Sequence, residues 1–104
     1  MKSNYISRFD KLNKIIYSYH GQLRASGRGI SESAIEYILL YGSIFYAGDN
    51  ATAYWLNNKA LKSSKCRDKS ILQHSGKAVI VSHDGVVITA MHCKKTPKHW
   101  EKAA

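Results

Sequence analysis

The chain has 104 residues and carries 16 Lys and Arg against 7 Asp and Glu, a formal charge of +9. That length supports one domain, 1–104, with a modest core, and excludes two-domain enzymes, repeat arrays and large cofactor folds. An apolar fraction of 44% argues against a disordered chain, and no run approaches the ~18 apolar residues of a membrane span.

The first residues, Met1-Lys2-Ser3-Asn4, lead into a charged amphipathic stretch. This predicts a cytoplasmic protein with no signal peptide and no membrane partner. In that compartment Cys66 and Cys93 are expected as free thiols. Ile6, Phe9, Leu12, Ile16, Tyr19 and Leu23 recur at helical spacing, which predicts one amphipathic helix over 5–26 with a single buried stripe. Gly27 is the expected left-handed residue just past its end. Ser31 then caps a second helix, with Glu32 in the positive first turn and Ile30 and Ile35 at the staple positions. Ala34, Ile35, Ile38 and Leu39 form its apolar face, and Tyr41-Gly42 closes it.

Residues 43–47 and 52–56 are aromatic and branched runs separated by Gly48-Asp49-Asn50, which reads as a hairpin. Residues 57–76 form a polar, basic insert in which Ala60, Leu61, Ile71 and Leu72 support only short helical pieces. A second hairpin follows, with 77–82 and 86–93 flanking His83-Asp84-Gly85. A two-residue Asp84-Gly85 turn sets Lys77 opposite His92, Val79 opposite Ala90 and Val81 opposite Ile88, and puts Val87 on the other face. Residues 94–104 read as a basic tail turning near Trp100. The expected class is α+β, with two N-terminal helices packed on an antiparallel sheet of about four strands.

Charge is one-sided. Residues 1–52 are net +2 and residues 53–104 net +7, a balance that suits a polyanionic partner or simple solubility equally well.

The series His20-x-x-x-Arg24-x-x-x-Arg28-Gly29-Ile30-Ser31, together with 78–89 around Asp84-Gly85, resembles the domain of unknown function 4258 family. That family is similar in layout to RelE-like and colicin-like endoribonuclease toxins. The resemblance covers residues 10–92 apart from the insert. It implies metal-independent hydrolysis of RNA by a toxin of the toxin–antitoxin or contact type. RNA is then the substrate, and a cognate antitoxin or immunity protein is the partner. The basic insert and the charged tail depart from the family pattern.

Such chemistry needs a base for the 2′-OH, an acid for the leaving 5′-oxygen and cations for the phosphorane. His20, Arg24, Arg28 and His92 are the candidate catalytic groups. His20 and Arg24 are neighbours at i, i+4, and Arg28 lies just ahead of a helix N-terminus that can hold an anion. Ser31, Tyr54, Lys59, Lys62, Lys65, Arg67, Lys69, Lys94 and Lys95 are candidate RNA contacts. Each has a structural alternative: Ser31 is a helix cap first, Tyr54 and Trp55 are core aromatics, and His92 is a solvent-edge residue. His83 sits in a hairpin corner. The histidines at 20, 74, 83, 92 and 99 have no metal-ligand spacing, so no metal or cofactor is expected. The competing reading is a non-catalytic basic nucleic-acid-binding module, or an inhibitor of an acidic protein.

Overall fold

A computed structural model describes residues 15–63 and 69–103. In chain order the elements are α1 (Tyr19–Gly27), α2 (Glu32–Tyr41), β1 (Ser43–Gly48), β2 (Ala51–Trp55), α3 (Asn58–Ser63), a 3-10 helix (Lys69–His74), β3 (Lys77–Val81), β4 (Val87–His92) and β5 (Glu101–Lys102). The strands make one antiparallel sheet ordered β4-β3-β2-β1-β5. The α+β class holds. The sheet has five strands rather than about four, and two helical pieces lie between β2 and β3 rather than at the N-terminus.

α2 forms as its local signals dictate. The Ser31 hydroxyl accepts the Ala34 N–H at 3.1 Å, Ile30 and Ile35 are both buried, and Gly42 ends the helix.

α1 does not follow the expected stripe. Ile16 and Ser18 bond Val87 at the edge of β4, and only then does the Ser18 hydroxyl cap a helix by accepting the Gly21 N–H at 2.9 Å. The part of the expected helix over 5–14 lies outside the described residues. Tyr19 and Leu23 of the stripe are 74% and 51% exposed, while Gly21 and Ala25 are buried. A Cβ on Gly21 would lie 2.2 Å from the Val87 carbonyl oxygen. The helix therefore packs backbone-close on β4, through the residues that lack bulk.

Its C-terminus is a Schellman turn. Ile30 N–H donates to Ala25 O at 2.9 Å, Gly29 N–H donates to Ser26 O at 3.2 Å, and Gly29 has φ of +69°. The left-handed residue is Gly29, not Gly27.

β1 and β2 join through Asp49 and Asn50 at φ of +53° and +61°, a type I′ turn. In the second hairpin Lys77 faces His92 and Val79 faces Ala90, but Val81 faces Val87 rather than Ile88. The loop has three residues, His83-Asp84-Gly85, with Ser82 N–H donating to Val86 O at 2.9 Å. A bulge absorbs the extra residue. Val87 consequently joins Val79, Val81, Ile35 and Ile38 in the helix-side core, and Ile88 is exposed.

The expected insert and tail both contribute to the core. Ala60 and Ile71 are buried in the helix-side cluster. Trp100 closes the opposite cluster, with ring centroids 5.7 Å from Phe45 and 6.2 Å from Trp55. Glu101 and Lys102 then pair with Tyr46 and Phe45 as the fifth strand.

Candidate functional site

The Schellman turn holds Arg28 as the cap of α1, beside the outer edge of β4. Its guanidinium Nη1 donates to the Ala90 carbonyl at 2.7 Å. In return His92 Nε2 donates to the Arg28 carbonyl at 3.2 Å. A carbonyl only accepts, so Nε2 carries the proton and neutral His92 keeps its lone pair on Nδ1. These crossed bonds latch α1 to β4, and the first occupies the Ala90 carbonyl at the strand's edge.

Lys77 is the cross-strand partner of His92, on the face shared with Val79 and Ala90. Directly opposed residues of this kind have Cβ atoms about 5 Å apart. Lys77 Nζ donates to His74 Nδ1 at 3.5 Å, which leaves the His74 proton on Nε2. The His74 ring stacks on Tyr37 with centroids 5.5 Å apart, and the Tyr37 hydroxyl lies 3.2 Å from Ser70 Oγ. Arg28, His92, Lys77 and His74 thus form a row at the end of the helix-side face, where β3 begins and β4 ends. Lys94 and Lys95, which follow β4 in the chain, are exposed. The row combines a lone-pair imidazole nitrogen, a second imidazole with an N–H to donate, and two cations. That is a set able to move two protons around a bound anion.

The other candidates are dispersed. Arg24 and His20 are exposed on α1, one and two turns before Arg28. His20 lies about 12 Å from it along the helix axis, out of reach of a phosphate held by His92. Ser31 uses its hydroxyl as the α2 cap. Tyr54 is 3% exposed inside the helix-side core, so its ring offers no face to a base. Lys59, Lys62 and Lys69 are exposed, while Lys65 and Arg67 lie outside the described residues. The hydrogen bond and charge of Lys102 lower the Lys59 pKa, so α3 and β5 bring two ammonium groups together.

Cys93 is a free, buried thiol that donates to the Lys95 carbonyl at 3.1 Å, and Cys66 lies outside the described residues. Burial pushes the Cys93 pKa up, against a smaller lowering from the Lys95 backbone, so it is a poor nucleophile. Burial also pushes Tyr17 up to about 12, helped by the charges of Glu32 and Glu36 on α2.

Lys77, His74 and Tyr37 are the site residues that motif reasoning passes over. The hairpin register already pairs Lys77 with His92, and His74 stands three residues before Lys77.

No family model, curated protein or solved structure matches the chain. Among the described residues there is no group of three or more His, Cys, Asp or Glu arranged to hold a metal ion. No described helix is long and apolar enough to cross a membrane.

Proposed function

We propose that the chain acts on RNA as a metal-independent endoribonuclease of the toxin type. The observation that carries this reading is the row Arg28, His92, Lys77 and His74, assembled from an α1 cap, two strands and a 3-10 helix. His92 Nδ1 takes the 2′-OH proton as the 2′-oxygen attacks phosphorus. Arg28 and Lys77 neutralise the charge that gathers on the non-bridging oxygens. His74 gives its Nε2 proton to the departing 5′-oxygen while the Lys77 ammonium passes a proton to His74 Nδ1, so the ring stays neutral and the products are a 2′,3′-cyclic phosphate and a 5′-hydroxyl. Arg24, Lys94 and Lys95 flank the phosphate, and the α3 lysines draw in the strand. The resemblance to the domain of unknown function 4258 family and the charge of +9 support the same substrate. An antitoxin or immunity protein would act by covering this basic end in the cytoplasm.

A second reading has its own observation. Arg28 Nη1 and His92 Nε2 both bond backbone carbonyls, as they would in a module that holds RNA without cutting it. Incubating end-labelled single-stranded RNA with the protein in EDTA separates the two. The enzyme yields products ending in cyclic phosphate and leaves the 2′-O-methylated strand intact. Retention of an uncut strand establishes the binding module instead.

A further inference from the structure

A groove of about 490 Å³ runs between α2 and the 3-10 helix, with His74 in its wall. That volume falls within the range of small-ligand sites, about 300–1,000 Å³. One wall is a stripe of α2, Ser33, Glu36, Tyr37, Leu40 and Tyr41, recurring at helical spacing. Ser70, Gln73 and His74 form the other. The core-facing stripe of α2 is a different one, Ala34, Ile35 and Ile38, and Leu40 is left 43% exposed.

Tyr41, Tyr37 and His74 stand as a row of rings, with successive centroids 6.4 and 5.5 Å apart. Their planes are inclined by 29° and 30°. Such separations are offset stacks, in which neighbouring rings overlap only in part. All three rings are partly buried and line the groove. The Tyr37 hydroxyl, 3.2 Å from Ser70 Oγ, ties the two walls together.

The groove also carries a charge of the wrong sign for the row it adjoins. Glu36 is exposed in its wall, on a chain of net charge +9. A carboxylate there repels the phosphates that Arg28 and Lys77 attract. It only accepts hydrogen bonds, so it suits the N–H edge of a base and not the backbone of the strand.

We propose that this groove binds the base on the 3′ side of the cut, and prefers guanine. The inference rests on the phosphodiester reading above, because His74 belongs to both sites. His74 protonates the departing 5′-oxygen, so the nucleotide that carries this oxygen lies at the His74 end of the row, where the groove is. Its base stacks on the tyrosine and histidine rings. Guanine presents N1–H and N2–H side by side to the two oxygens of Glu36, and its O6 to the Gln73 amide. Uracil offers one N–H between two carbonyls, which the carboxylate repels. Adenine and cytosine, each with an amino group beside an acceptor, fall between.

The test uses four deoxyribose strands with a single ribonucleotide, followed by guanine, adenine, cytosine or uracil, so that each has one cleavable bond. Cleavage in EDTA is expected to be roughly ten-fold faster before guanine than before uracil. Glu36→Gln alters an exposed side chain and should reduce that ratio about five-fold at an unchanged thermal midpoint. Tyr41→Leu removes a ring and keeps apolar volume, so it should weaken all four strands by a similar factor of about five. Fluorescence anisotropy on the same strands, 2′-O-methylated at the single ribose, reads the base ranking without cleavage. Guanine preference in binding that depends on Glu36, with no strand cut, upholds the subsite and removes the nuclease reading. Equal cleavage before all four bases overturns the subsite and leaves the nuclease reading in place. So does a guanine preference that Glu36→Gln retains in full. Neither cleavage nor a ranking in binding removes both.

Discussion

Helix α2 is anchored by Ile35 and Ile38, both fully buried, whereas α1 buries only Gly21 and Ala25 and turns Tyr19 and Leu23 to the outside. The two helices lie on the same sheet but are held by opposite means. α2 fills space with branched side chains and gives the site one ring, Tyr37, which stacks on His74. α1 lets its backbone approach the Val87 carbonyl, so its long side chains remain available. His20, Arg24 and Arg28 all belong to that second kind of helix, and Arg28 at its end reaches the strand that carries His92.

The contrast predicts opposite responses to volume. Ile38→Ala in α2 leaves a cavity and should cost about 4 kcal/mol, a fall in thermal midpoint of roughly 20 °C for a domain of this size. Gly21→Ala in α1 adds one methyl where the nearest atom is a backbone oxygen, and should cost about 2 kcal/mol. A stabilising Gly21→Ala would show that α1 rides clear of β4. The outward pair is expected to be tolerant: Tyr19→Ser and Leu23→Gln should each change stability by less than about 0.5 kcal/mol in denaturant unfolding. A large loss in either would mean that this face is covered.

Those expectations also show what the sequence could and could not reveal. α2 was legible because its cap, staple and stripe are all local. The Asp49-Asn50 hairpin was legible because its turn chemistry is. The buried face of α1 was not, because a periodicity of large residues cannot report packing through missing ones. β5 escaped because it is two polar residues, Glu101 and Lys102, held by the burial of Trp100. The register placed Lys77 opposite His92 correctly and then slipped at Val81, since a three-residue loop with Gly85 at φ of +88° mimics a two-residue one in sequence. In the site, Arg28 and His92 were visible. His74 was hidden in a segment that reads as a polar, basic insert until Ile71 anchors it in the core.

A smaller effect links the two helices. Tyr17 leads into α1 and faces Glu32 and Glu36 of α2, with its pKa pushed up to about 12. The unfolded chain releases that proton near 10, so unfolding is favoured as pH rises from about 10 to about 12. Stability should therefore fall less steeply across that window in Tyr17→Phe than in the parent chain, measured by urea unfolding. Parallel curves would remove Tyr17 from the contact between α1 and α2.

The claim that the row beside α1 cuts RNA, rather than only latching a helix to a strand, is tested most directly by His92→Gln. Glutamine retains an N–H for the Arg28 carbonyl but has no imidazole. Cleavage rate and thermal midpoint are measured on the same preparation. Stability should stay within about 1 kcal/mol of the parent chain, while formation of the cyclic phosphate should fall at least about 100-fold. Cleavage by His92→Gln at the parent rate, or a loss that tracks the unfolded fraction, would contradict the catalytic assignment.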